Sequence, residues 1–234
     1  MAEQVTIGLD LGGTKLAGVR LEGLDVVARA ERPTAGESTE ALIAQMAGMA
    51  AELGCAESDG VGVGVPSAVE WPTGRVIADS VNVPLTAGLE VRDRLADLLG
   101  GVPVAVDNDA TVAALAEAHR EDGEVVADLV MITLGTGVGG GIICNGRIVR
   151  GATGAAGHIG HEIVTTTPDA RRERTGFPRP DSLEAIAAGP ALDSMAREVA
   201  EQDGGSSVEP AASRAVASGR DPVSYTHLTL PTKA

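Results

Sequence analysis

Twice in this chain an apolar strand pattern runs into a glycine–threonine turn and out again into a second strand, and few folds accommodate such a pair. The first unit is Val5-Thr-Ile-Gly-Leu-Asp-Leu-Gly-Gly-Thr-Lys15, where Val5, Ile7, Leu9 and Leu11 alternate with Thr6, Gly8 and Asp10. That period of two marks a half-buried strand. It carries one acid, Asp10, and ends in Gly12, Gly13, Thr14 and Lys15. Such a turn exposes backbone N–H groups beside a hydroxyl and a cation, so it could cradle a phosphate while Asp10 faces a metal ion. Two glycines between apolar runs also make an ordinary hairpin, and the stretch by itself fits both readings.

The second unit begins with the apolar run Asp128 to Leu134 and enters Gly135-Thr-Gly-Val-Gly-Gly-Gly141, after which Ile142 and Ile143 resume a strand. Asn145-Gly146 is a two-residue hairpin signal leading to Arg147, Ile148 and Val149. Five glycines in seven positions cost too much backbone entropy for a plain turn, and phosphate binding is expected here. Two units of this kind imply a duplicated architecture with a nucleotide held between its halves.

Between the two units the chain alternates strand and helix. Leu16 to Leu21 and Asp25 to Glu31 read as strands of a meander. Thr39 to Leu53 keeps helical spacing, with Gly54 at its C-terminal cap. Val61 to Val65 is an apolar strand whose glycines let something pack close to its backbone. Val69 to Leu89, with two prolines, two glycines and Asn82, is expected to be mostly loop, and next comes a helix ending at Gly100-Gly101. Pro103 to Val106 is a short buried strand, with Asp107, Asn108 and Asp109 at its end and a helix from Ala110 to His119. Strand, helix, strand is βαβ grammar and predicts helices on the face of a sheet. Acids between a strand end and a helix start are good N-caps. Strand C-terminal ends are also where open α/β sheets put ligands, and both readings of this trio stand.

Past the second unit, His158 and His161 are spaced for a metal only if helical. Glycines flank both, and zinc would want further ligands that nothing nearby supplies. Thr165 to Pro180 is arginine-rich and reads as an exposed loop, Ser182 as the cap of a helix, and Ala191 to Ala200 as a second helix. Gly204 to Pro210 is a linker, and Ala211 to Ala217 starts one more helix.

Composition narrows the function classes. A net charge of −15 argues against nucleic-acid binding, which needs a basic surface. No apolar run reaches the ~20 residues that span a bilayer, and no signal peptide is expected. Cys55 and Cys144 fit no ligand spacing and read as two ordinary buried thiols in a reducing cytoplasm. With aromatics at 1 %, the core must be Val, Leu, Ile and Ala. Val223 to Thr232 abruptly brings three threonines and the sole tyrosine, and it resembles a translated sequencing adapter. Residues 223–234 are therefore set aside as a non-native tail of a truncated chain.

Asp10-Leu-Gly-Gly-Thr-Lys15, Gly62-Val-Gly-Val-Pro66, Asn108-Asp109, Gly135-Thr-Gly-Val-Gly-Gly-Gly141 and Gly157-His-Ile-Gly-His161 stand in the order seen in the ROK family (repressors, open reading frames, sugar kinases). Over roughly residues 5 to 200 the chain resembles that family. The resemblance implies an α/β, actin-like/hexokinase-like ATPase with two RNase H-like domains and a central cleft, 1–108 and 109–222, the second incomplete. It implies ATP-dependent phosphorylation of a hexose hydroxyl, glucose first, with fructose, mannose or an N-acetylhexosamine as alternatives. Gly12, Gly13, Thr14 and Lys15 with Gly135, Thr136, Gly137 and Gly139 would hold the phosphates of ATP, and Asp10 would anchor Mg²⁺ through water. Asp109 would be the catalytic base. Asn82, Asn108, His158, His161 and Glu184 would contact the sugar. The family's usual Glu is His at position 158, and its cysteine-rich zinc loop is expected to be absent here. His161 is then open to sugar contact or packing, and some other means must order the loop from Arg171 to Pro180. The family's regulators carry an N-terminal helix-turn-helix domain, whereas here a strand starts by residue 5. An inactive sugar-binding fragment is the further alternative, and a homodimer is compatible with the resemblance.

Overall fold

A computed structural model describes residues 4–119, 124–164 and 179–202. Contacts group the chain into two units. The first is Met1–Asp128 with Ile142–Ala156; the second is Leu129–Gly141 with Gly157–Ala234.

The first unit is built on a five-stranded sheet. β1 (Val5–Leu11), β2 (Lys15–Glu22) and β3 (Asp25–Pro33) form the antiparallel meander expected from the sequence. Helix α1 (Thr39–Glu52) then returns the chain to β4 (Gly60–Val65), which pairs parallel to β1. The hairpin strands β5 (Val69–Glu70) and β6 (Arg75–Val76) form a small ribbon inside the stretch expected to be loop. Buried Val69 and Val76 face each other across it, an apolar pairing too short to show as a period. Helix α2 (Val91–Leu98) leads to β7 (Val104–Asn108), parallel to β4, and α3 (Asp109–Ala118) starts directly after it. The strand order is β3-β2-β1-β4-β7.

The alternation in β1 has its predicted consequence. Ile7, Leu9 and Leu11 point into one core with Leu42, Ile43 and Met46 of α1 and Leu95 of α2. Ser38 caps α1 by accepting from the Ala41 N–H at 3.1 Å, worth about 1 kcal/mol. At the other end Gly54 takes its expected left-handed conformation. Arg20 reaches from β2 to donate to the carbonyls of Leu53 and Gly54, both at 3.2 Å. Asp10 lies on the opposite face of β1 from this core, in register with Gly64 of β4. Helix α3 lies against β4 and β7 and belongs to the first unit.

β8 (Leu129–Leu134), β9 (Val138–Cys144) and β10 (Arg147–Ile148) make a three-stranded sheet in the order β10-β9-β8. Asn145 and Gly146 turn the hairpin with φ of 50° and 69°. Cys55 is buried as expected, whereas Cys144, the last residue of β9 before this turn, is exposed. The glycine run divides differently from the sequence reading. Only Gly135 to Gly137 form the turn, and the strand resumes at Val138 rather than Ile142. Gly140 explains the difference: a Cβ there would lie 2.8 Å from the Met131 carbonyl and 2.9 Å from that of Gly157, so this glycine admits close backbone packing within a strand.

In the second unit Ser182 caps α4 (Leu183–Ala187) by accepting from the Ala185 N–H at 3.2 Å. Helix α5 (Gly189–Gln202) is longer than expected and has Pro190 in its first turn, where a missing N–H costs nothing. The body of the arginine-rich loop, the linker, the last expected helix and the tail at 223–234 lie outside the described residues. Among the described residues no helix is long and apolar enough to cross a membrane.

Candidate active site

The first unit gathers its acids where β1, β4 and β7 end. Asp109 is the first residue of α3, and Asn108 before it is the N-cap, its Oδ1 accepting from the Thr111 N–H at 3.0 Å. The cap within the trio is thus the asparagine rather than an acid. The Asn108 Nδ2 donates to Asp109 Oδ1 at 2.9 Å and to the Ser67 carbonyl at 3.3 Å. Asp109 Oδ1 also accepts the Ala110 N–H at 2.7 Å. These bonds fix the orientation of the Asp109 carboxyl.

Gly64 brings Asp109 and Asp10 together. A Cβ on Gly64 would sit 3.3 Å from Asp109 Cα and 3.9 Å from Asp10 Oδ1, so the start of α3 rests on the bare backbone of β4. Burial pushes the Asp109 carboxyl up to about 6, and the Asp10 charge adds to the rise. Burial also raises Asp10, which Lys15 opposes. A carboxyl with a pKa near 6 is still ionised at neutral pH and is a stronger base than an ordinary aspartate. Asp10 offers hard oxygen donors beside a second carboxylate, which suits Mg²⁺ held through water. Among the described residues no group of three or more His, Cys, Asp or Glu is arranged around one point, so a metal would need water or phosphate to complete its shell.

The turn after β1 is a hairpin closed by the Gly12 N–H donating to the Lys15 carbonyl at 2.9 Å. Hairpin and anion cradle are compatible readings, since Thr14 and Lys15 stay exposed. Lys15 Nζ lies 3.1 Å from Glu31 Oε2 in an exposed pair. Asn82 sits against this turn: a Cβ on Gly13 would meet its Cβ at 2.9 Å. Thr34 braces the far side, donating its hydroxyl to the Gly12 carbonyl at 2.7 Å.

In the second unit the turn of Gly135, Thr136 and Gly137 is tied to α4 and α5. The Glu184 Oε2 accepts the Val138 N–H at 2.9 Å, and the Gly189 N–H donates to the Gly135 carbonyl at 2.8 Å. Glu184 comes so near that a Cβ on Gly137 would stand 2.5 Å from its Oε2. Gly139 lies within β9. His158 precedes a single 3-10 turn, Ile159–His161, and the two imidazole centroids are 6.2 Å apart. That turn packs on α4, the helix that carries Glu184. Just before α4, Arg179 donates twice to the buried Asp181 carboxylate at 3.1 and 2.8 Å.

Three contributors escape the sequence reading. Arg150 donates its Nε–H to Asp107 Oδ2 at 2.8 Å, and its guanidinium lies 4.2 Å from the centre of the Trp71 ring. Ser67 supplies the carbonyl under Asn108. No local pattern marks any of the three, because each acts through a partner distant in sequence.

A family model described as ROK family matches residues 6–223. The chain is 38 % identical over 183 residues to a glucokinase of Halalkalibacterium halodurans, covering 72 % of this chain and 52 % of that one. It is 32 % identical over 199 residues to an N-acetylmannosamine kinase of Salmonella arizonae, covering 82 % and 64 %. Among solved structures, a ROK family glucokinase from Streptomyces griseus in complex with glucose and AMPPNP matches with a TM-score of 0.70 at 29 % identity, over 85 % of this chain and 62 % of that one. The chain thus spans between half and two thirds of the length of these relatives, and its fold is the α/β, actin-like ATPase fold.

Proposed function

We propose that this chain, which belongs to the ROK family, transfers a phosphoryl group from ATP to a hexose hydroxyl. The observation that carries the reading is the placement of Asp109: half-buried, at a helix start, oriented by Asn108 and set beside Asp10 across Gly64. Phosphoryl transfer asks the protein mainly for alignment and charge neutralisation. Asp109 accepts the proton of the attacking hydroxyl. Asn108, which donates to Asp109, and Asn82, which sits against Gly13, are the candidate sugar contacts. The three bonds of the Asn108 amide hold that side chain in place and leave Oδ1 a second lone pair for a hydroxyl.

The turn at Gly12 to Lys15 and the loop of Gly135, Thr136, Gly137 and Gly139 are the elements assigned to the phosphates. Backbone N–H groups and Lys15 supply the positive charge. Asp10 is the residue that would hold Mg²⁺, whose charge would neutralise the phosphates when bound. His158, His161 and Glu184 are assigned to the sugar, supported by the approach of the two imidazoles and by the packing of the Ile159–His161 turn on the helix that carries Glu184.

Glucose is the first substrate in this reading, supported by the glucokinase relatives. N-acetylmannosamine is the second, supported by the kinase of S. arizonae and by His158, which offers one donor and one acceptor at a position where the family usually presents a carboxylate. A coupled ADP-release assay across glucose, fructose, mannose, N-acetylmannosamine and N-acetylglucosamine tests the proposal, on this chain and on a form extended to the length of its relatives. Hexose-dependent ADP release supports it. No release with any sugar from either protein defeats it.

A further inference from the structure

We infer that Arg150 is a positioning residue for Asp109, acting through Asp107 and Asn108, with Trp71 as the platform that aims it. The inference rests on the kinase reading above for its kinetic consequence, but its geometry stands apart. Asp107 is almost fully buried at the end of β7, and its two carboxylate oxygens are divided. Oδ2 accepts the Arg150 Nε–H at 2.8 Å, and Oδ1 accepts the backbone N–H of Asn108 at 2.9 Å. The second bond orients the peptide that carries Asn108. From there the Asn108 side chain caps α3 and donates to Asp109 Oδ1 at 2.9 Å. Arg150 and Asp109 are thus joined by three successive hydrogen bonds with no gap.

The chemistry of each member fits this role. A buried carboxylate needs a charged partner, and Arg150 is the cation bound to Asp107. The guanidinium is planar and lies over the Trp71 indole, which restricts it to the orientation that points Nε at Asp107. A lysine at 150 would restore the charge but could neither lie flat on the ring nor present a fixed N–H. Trp71 is 45 % exposed and is the one tryptophan of the chain, so its emission reports on Arg150 without added label.

The test compares the full chain with Arg150→Gln and Arg150→Lys, each labelled with ¹⁵N. In Arg150→Gln the Asn108 side-chain amide resonances move and Trp71 emission changes. The kcat falls about tenfold while the hexose KM stays within about threefold, the pattern of an interaction made for the transition state. Arg150→Lys recovers part of the kcat but not the Trp71 emission. An unmoved Asn108 amide, a wild-type kcat, or a loss confined to hexose KM overturns the inference. Absence of ADP release in the wild type with every hexose sinks the kinase reading instead, and the Asn108 resonances then decide the positioning alone. If Arg150→Gln leaves Asp107 uncompensated and the fold is lost, the pair D107N/R150Q, neutral on both sides, takes its place in the same measurements.

Discussion

The turns at Gly12 to Lys15 and at Gly135 to Gly137 share a strand-turn-strand grammar but are held by different means. The first is braced by neutral groups: a backbone bond across the hairpin and the Thr34 hydroxyl on the Gly12 carbonyl. The second is held by an acid, Glu184, on the Val138 N–H. A phosphate arriving at the first turn meets a prebuilt frame whose cation, Lys15, is paired with Glu31 at the exposed surface. At the second, a phosphate seeking the Val138 N–H must share it with a carboxylate or displace it. The acids differ as well: beside the first turn Asp10 and Asp109 share a raised affinity for protons. In the first turn an acid meets a side-chain cation, and in the second an acid takes a backbone N–H.

The sharpest way to break this comparison is at the acids. Asp109→Asn should lower kcat by about 10³-fold while hexose binding, tracked calorimetrically, is retained. A loss under tenfold would mean that the acid beside the first turn has no chemical role. Gly64→Ala comes next, because its new Cβ presses on the backbone of Asp109 rather than on a flexible tip. It should cut kcat by about 10- to 100-fold and destabilise the fold by about 1–3 kcal/mol in denaturant titrations.

The two turns can then be set against each other. Gly13→Ala drives a methyl into the Cβ of Asn82, so a whole loop must move, at a cost of about 1–3 kcal/mol in thermal melts. Gly137→Ala meets only the end of the Glu184 side chain. Its melt should stay within about 1 kcal/mol of wild type while the KM for ATP changes several-fold. Equal stability losses in both would erase the distinction between the supports.

A separate effect is on stability against pH. Asp109 titrates near 6 when folded and near 3.8 when not, so between those values the folded chain binds more protons. Stability in metal-free buffer should therefore rise as pH falls through 6 and level off below 4, with Asp109 working against the fold at neutral pH. Asp109→Asn should melt higher than wild type at pH 7.5, and that advantage should shrink at pH 4.5. A constant difference across that range would contradict the raised carboxyl.

Much of this molecule is legible in the sequence because it is written in periods and punctuation. The alternation Val5 to Leu11, the helical spacing from Leu42 to Leu53 and the Asn145-Gly146 hairpin all depend on neighbours along the chain. The glycines of β4 permit close approach, and the structure supplies what approaches: the backbone of Asp109. Two features elude the sequence for a shared reason. The β5–β6 ribbon and the strand through Gly139 to Gly141 are both stabilised by what lies across from them, which propensity does not encode. Arg150 is invisible because its meaning lies 43 residues upstream, in Asp107.

That separation has a consequence for synthesis. The first unit is assembled from two stretches of chain, and its second stretch, Ile142–Ala156, emerges from the ribosome only after Leu129–Gly141 has been made. Asp107 must wait through that interval without Arg150. A nascent chain therefore passes through a stage in which the five-stranded sheet is complete in sequence but one interior acid lacks its countercharge. The Asp107–Arg150 pair can form only once residue 150 has been made, so it is among the last contacts of the first unit to close during synthesis.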